Sequence, residues 1–187
     1  HSQKVYPQES VGFVVDNKYI PLKNTHSDPE NNFKVSPEDI IKYQGQIQAV
    51  IHSHNTDVHP MNPSKEDQQT QINWGIPFGI QLVNKEGAGN ILWFGDQLDI
   101  AEYVGRPYIY GVYDCYTIWR DFYRNELGIE LYNIARQDQF WLKGDDIYMD
   151  NAKSLGFYEI ELKDLQKYDI VLIKIRSKEM PNHGIIY

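Results

Sequence analysis

The chain has 187 residues, enough for one large domain or for two small ones that each bury a core. Its 41% hydrophobic and 24% charged content excludes a disordered chain, and a net charge of -8 makes non-specific binding to a phosphate backbone unfavourable, so no nucleic-acid partner is expected. No apolar run approaches the roughly 20 residues of a membrane span, so no membrane span is expected either.

The elements follow in chain order as an α+β pattern. Residues 10–15 and 19–22 read as short strands around Asp16-Asn17, a hairpin signal. A polar loop from Asn24 to Asn32 leads to Ser36-Pro37-Glu38-Asp39, a helix start with a capping serine, proline at the first helical position and acids in the first turn. That helix is expected to end near Gly45. Residues 47–54 read as a buried strand, and Pro60 and Pro63 keep the next segment extended. Ser64 starts a second helix that runs to about Trp74. Residues 78–84 and 90–95 are expected strands around the glycine-rich turn Lys85–Gly89. The polar stretch 96–105 reads as a linker, giving domains at 1–100 and 101–187. In the second, Asp114 caps a helix carrying Ile118, Phe122 and Leu127, stopped by Gly128. A further helix over 146–155 and strands at 170–175 and 183–187 complete the pattern. The chain opens at His1 rather than Met, shows no charged-then-apolar leader and ends on a strand-like run, so it reads as cut at both ends.

Three of the six histidines lie close together, at His52, His54 and His59. On a strand, residues two apart share a face, so His52 and His54 project together at the strand end and can share a metal ion. Catalytic zinc usually takes three protein ligands and leaves a position open. Asp57, His59, Glu66 and Asp67 are candidates for the third. Asp67 is best placed, in the first turn of the following helix, although Ser64 and Asp67 also have the spacing of a plain capping box.

The combination of His52-Ser53-His54 with Ser64-x-x-Asp67 resembles the JAMM (MPN) metallopeptidase motif. The resemblance implies a JAMM/MPN-like mixed domain, with Zn2+ on His52, His54 and Asp67. It implies that Glu9 handles the proton of the attacking water and that Ser64 helps hold the oxyanion. The chain departs from that motif between the second histidine and the serine. Nine residues, Asn55 to Pro63, stand there, more than the family's usual spacing, and His59 lies among them. The insertion either leaves the site intact, adds His59 as a ligand, or marks a site that holds no metal; the intact site is the expectation.

The lone cysteine, Cys115, follows Asp114 and so lies in the first turn of a helix, where free N–H groups and the helix dipole favour a thiolate. A cysteine peptidase needs a histidine distant in sequence, and His183 is the only one after Cys115. A half-buried thiol and an unrelated histidine is the competing reading. Tyr108-x-x-Gly111, Asp114-Cys115, Tyr168-Asp169-Ile170-Val171-Leu172 and His183-Gly184-Ile185-Ile186-Tyr187 together resemble NlpC-type papain-like peptidases. The resemblance implies Cys115 as nucleophile, His183 as base and Tyr108 shaping the oxyanion site. The third polar member would lie on a strand after Tyr187, so low thiol activity is expected of this stretch alone.

The two halves in tandem, with Glu9-Ser10-x-Gly12-Phe13-Val14-Val15, Ser36-Pro37-Glu38-Asp39, Tyr148-Met149-Asp150-Asn151 and Pro181-Asn182-His183, resemble the tail tip assembly proteins of lambda-type phages. The resemblance implies a hydrolase acting on peptidoglycan stem peptides or on tail proteins. It implies other tail tip proteins as partners, synthesis in the bacterial host cytoplasm and action at the cell wall. Two alternatives stand beside it: a non-catalytic tail component with a degenerate metal site, and a bacterial cell-wall hydrolase outside a virion.

Overall fold

The computed structural model describes residues 1–177 and 179–187. The chain divides into two compact units, His1–Pro63 with Thr70–Asp99, and Ser64–Gln69 with Ile100–Tyr187. Both are mixed α and β. No helix among the described residues is long and apolar enough to cross a membrane.

The first unit is built on a five-stranded mixed sheet. A short helix α1 (Ser2–Val5) precedes β1 (Val11–Val15) and β2 (Lys18–Leu22). These two strands form an antiparallel hairpin in which Asp16 and Asn17 both take positive φ, 49° and 59°. That is the backbone of a two-residue turn whose twist matches paired strands, and Asn and Asp tolerate it. Helix α2 (Pro37–Lys42) starts where the sequence places it, with the Ser36 side chain accepting from the Asp39 N–H at 3.1 Å. Strand β3 (Ala49–Asn55), helix α3 (Lys65–Trp74) and strand β4 (Phe78–Asn84) follow, and β5 (Gly87–Phe94) closes the sheet in the order β2-β1-β3-β4-β5.

Strands β3 and β4 are parallel and the other pairs antiparallel. A parallel pair requires a crossover, which α3 supplies. The first turn of α3 therefore follows the C-terminal end of β3. Phe13, Val50, Phe78, Ile80 and Phe94 are buried along the sheet, and Trp74 adds its ring to Phe13 and Phe78 at 5.9 and 6.2 Å.

One strand starts earlier than its sequence suggests. The expected turn ran to Gly89, but β5 begins at Gly87. The Asn84 side chain accepts from the N–H groups of Glu86 and Gly87 at 2.9 and 3.0 Å. This local side-chain turn reverses the chain within two residues, and the glycines then enter the ladder.

The second unit holds α4 (Cys115–Leu127), α5 (Ile147–Ala152) and an antiparallel pair, β6 (Ile170–Ile173) with β7 (His183–Ile186). Helix α4 is capped by Asp114, whose side chain accepts from the Thr117 N–H, and ends at Gly128 with φ 66°. Single-turn helices at Phe140–Leu142 and Leu162–Asp164 were not legible in the sequence. Strand β6 stops at Ile173, short of the expected Ile175. Beyond it the Asn182 side chain replaces the ladder: its Oδ1 accepts from the Ile175 N–H at 2.7 Å and its Nδ2 donates to the Ile175 carbonyl at 2.8 Å. Helix α5 likewise ends at Ala152 rather than Leu155. The core gathers Tyr110, Cys115, Tyr116, Trp119, Phe140, Ile147 and Tyr148.

Candidate functional site

Strand register positions the histidine pair. Val11 lies opposite His52 in the antiparallel β1–β3 ladder. Continued two residues outward, the same register sets Glu9 opposite His54 and Ser10 opposite Ser53. The chain holds that continuation: the Ser53 N–H donates to the Ser10 carbonyl at 3.0 Å, and the Ser10 N–H donates to Ser53 Oγ at 2.8 Å. Alternation then puts Ser53 on one face and His52, His54 and Glu9 on the other.

The two Nε2 atoms of His52 and His54 are 3.2 Å apart. His52, His54 and Asp67, all buried, each offer a ligand atom within 4.8 Å of the others. Glu9 Oε1 lies 3.9 Å from His54 Nε2. Two nitrogens bound at about 2.0–2.1 Å to one tetrahedral ion stand about 3.3 Å apart, so the histidine spacing fits zinc. The donor chemistry fits as well. His54 Nδ1 faces the Pro60 carbonyl at 3.0 Å, an acceptor only, so Nδ1 donates there and Nε2 is the nitrogen left for a metal. The Phe33 ring stacks on His52 with centroids 4.5 Å apart.

Asp67 is aimed by Ser64. The Ser64 N–H and Oγ–H both donate to Asp67 Oδ2, at 2.9 and 2.7 Å, and the Asp67 N–H donates to Ser64 Oγ at 3.0 Å. This is a reciprocal capping box whose carboxylate also belongs to the histidine cluster. Of the other third-ligand candidates, Asp57 accepts from the Tyr6 hydroxyl at 2.9 Å and lies outside the cluster. His59 sets its ring 6.5 Å from that of His54, with Nε2 3.3 Å from the Glu30 carbonyl. The long 55–63 segment contributes through Pro60, a residue the sequence does not single out for this role.

In the second unit Cys115 opens α4. Its Sγ lies 3.1 Å from the Tyr148 hydroxyl on α5. Burial pushes the thiol pKa up; the Tyr148 hydroxyl and the Gly184 backbone N–H act the other way. His183 stands at the first residue of β7, next in sequence to Gly184. No hydrogen bond joins His183 to Cys115 among the described residues. Tyr108 is 68% exposed, and its phenol is pushed up to about 12 by partial desolvation and by the charges of Asp114 and Cys115.

Asp114, next to Cys115 in sequence, takes part in a buried ion pair that no local sequence pattern marks. Arg136 Nε donates to Asp114 Oδ2 at 2.8 Å and Nη2 to Oδ1 at 2.7 Å, a two-pronged fit. Asp114 also accepts from the Gly111 N–H at 2.8 Å. Burial alone would raise the Asp114 pKa, but the Arg136 charge and these hydrogen bonds hold it below the usual carboxylate value. Arg136 lies in an irregular segment, so no periodicity marks it.

No protein-family model matches the chain. A solution structure of a Salinibacter ruber protein overlaps 59% of this chain and 88% of that one, at 18% identity and a TM-score of 0.33. Over its full length the chain is 26% identical to the tail tip assembly protein K of Escherichia phage N15, covering 77% of that protein. It is 33% identical over 155 residues to the tail tip assembly protein K of Escherichia phage lambda, covering 82% of this chain and 72% of that protein. The chain thus belongs to the family of the phage tail tip assembly protein K.

Proposed function

We propose that this chain is a two-site peptide hydrolase of the phage tail tip, with a JAMM-type zinc site on His52, His54 and Asp67 and an NlpC-type thiol site at Cys115. The zinc half rests on one observation: two imidazole Nε2 atoms 3.2 Å apart, with Asp67 in reach. Zinc bound there would supply Lewis acidity and bring the pKa of a water to about 7. Glu9, opposite His54 in register, takes the proton of the attacking water and returns it to the leaving amine. Ser64 keeps the Asp67 carboxylate in place, and the Pro60 carbonyl keeps the His54 tautomer.

The thiol half is favoured by a separate observation, the Cys115 sulfur at a helix N-terminus with the Gly184 N–H and the Tyr148 hydroxyl beside it. In this half Sγ attacks the scissile carbonyl carbon and the C–N bond breaks. The amine leaves with a proton carried by His183, and water hydrolyses the thioester. Tyr108 borders the oxyanion side. The substrate is proposed to be a peptidoglycan stem peptide at the bacterial cell wall, or a tail protein. Other tail tip proteins are the proposed partners, a reading supported by the names of the lambda and N15 relatives.

The test begins with zinc content by elemental analysis of protein purified without added metal or chelator. About one zinc per chain, lost in His52→Ala, is expected. A folded protein that holds no zinc and takes up none when it is offered overturns the zinc half and leaves any catalysis to Cys115. Release of peptides from purified peptidoglycan by the full-length protein is then compared with that by its Glu9→Gln and Cys115→Ala forms; unchanged release in Cys115→Ala overturns the thiol half.

A further inference from the structure

We infer that Tyr148 is a catalytic residue of the thiol site, donating a hydrogen bond to the Cys115 sulfur as it ionises. The inference rests on the thiol reading above and adds to it a group that the sequence resemblance does not assign.

The geometry is built from three sides. The Tyr148 hydroxyl is 3.1 Å from Sγ, the atom that reacts. Its ring is fixed by Trp119 at 5.0 Å, by Phe140 at 5.5 Å and nearly perpendicular, and by Tyr116 at 6.5 Å. These three rings pack around the phenol whose hydroxyl faces Sγ. Helix α5, which carries it, is capped by Asp146, whose side chain accepts from the Met149 N–H. Two donors from separate elements, the phenol of α5 and the Gly184 N–H of β7, thus converge on one sulfur at the start of α4.

The charged and titratable groups around that sulfur sort by sign. Asp114 carries negative charge next to it in sequence, but Arg136 neutralises that charge from the 129–139 segment. Tyr108 lies close enough to feel the Cys115 charge, and His183 precedes Gly184. Burial and the neighbouring thiol both push the Tyr148 phenol pKa up, so it keeps its proton when the thiol loses its own. On ionisation the S–H proton leaves to the base, and the O–H of Tyr148 points its hydrogen at the thiolate. A donor matters more here than at an exposed thiol, because burial otherwise holds Cys115 in its neutral form.

The competing account makes Tyr148 a core residue whose hydroxyl uses the thiol as its nearest buried acceptor. The two accounts differ in the thiol titration. Cys115 is the only cysteine, so the NMR Cβ shift of isotope-labelled cysteine reads its ionisation alone and needs no reagent to enter the core. In Tyr148→Phe the titration midpoint is expected to rise by about one pH unit or more. Peptide release at neutral pH should fall about tenfold, recovering as the pH is raised. An unchanged midpoint in a folded Tyr148→Phe protein overturns the inference.

If Tyr148→Phe does not fold, 3-fluorotyrosine placed at this position alone keeps the ring and makes a stronger donor. A lowered midpoint supports the inference and an unchanged one overturns it. Peptide release unchanged in Cys115→Ala would overturn the thiol reading, whereas the titration would still report whether Tyr148 acts on the thiol.

Discussion

The side-chain amide of Gln68 pairs with both backbone polar groups of Arg136. Gln68 Nε2 donates to the Arg136 carbonyl at 2.8 Å, and the Arg136 N–H donates to Gln68 Oε1 at 3.3 Å. Both residues are 1% exposed. The amide thus satisfies the backbone N–H and C=O of Arg136 much as a neighbouring strand would. Gly111 packs so close that a Cβ on it would lie 2.7 Å from Gln68 Nε2, and its φ of +76° also favours glycine.

Gln68→Ala should therefore leave a buried N–H and a buried C=O of Arg136 without these partners and lower stability by about 2–4 kcal/mol. Gln68→Glu should do worse than its shape suggests, because a carboxylate cannot donate to the Arg136 carbonyl. Urea unfolding of the two variants checks this. Stability within a few tenths of the parent would show that water takes over both bonds.

Arg136→Met should destabilise by about 3–5 kcal/mol, since it strands the Asp114 carboxylate in a buried place. Replacing both partners, as Asp114→Leu with Arg136→Met, should cost less than Arg136→Met alone. A double variant weaker than the single one would show that the N-cap contributes more than the ion pair.

The same pair sets an acid limit. Burial would raise the Asp114 pKa, but the Arg136 charge and the hydrogen bonds from Arg136, Thr117 and Gly111 together lower it on folding. Its contribution is fully present above the unfolded carboxylate value of about 3.9 and is lost as pH falls through the lower folded value. The stability gap between the parent and Asp114→Asn should thus be constant near neutral pH and shrink on acidification below about pH 4. Thermal melts across that range check the sign; a gap that widens with acid would refute it.

Gly184→Ala should be poorly tolerated. A Cβ built there would collide with Cζ2 of the Trp119 indole. Because β7 and α4 are both regular elements, the clash has to be relieved by moving one of them or the indole, at a cost of about 3 kcal/mol or more. Trp119→Phe in the same chain should recover part of the loss. Denaturant midpoints of the two variants read the difference.

Ser64→Ala should weaken zinc uptake about tenfold or more, because it removes a hydroxyl that holds a proposed ligand oxygen. The loss of the cap adds about 1 kcal/mol of destabilisation. Zinc titration monitored by a competing chelator separates the two effects, and an unchanged affinity would mean that the Ser64 N–H alone orients Asp67.

Much of the fold follows from local chemistry that the sequence displays. Ser36-Pro37 and Asp114 cap their helices, Asp16-Asn17 turns the first hairpin, and Gly128 ends α4 with positive φ, because each property depends on a few neighbouring residues. The shared face of His52 and His54 was legible for the same reason: it needs only the two-residue period of a strand. Register, long-range pairing and irregular segments were not. Glu9 faces His54 only because β1 meets β3 with Val11 opposite His52. Pro60 turns its carbonyl to His54 only because the 55–63 segment folds back. Arg136, Gln68 and Tyr148 reach Asp114, the Arg136 backbone and Cys115 across 22, 68 and 33 positions. Their bonds exist because buried polar groups must find partners wherever packing brings the chain together, and no local pattern in the sequence records that choice.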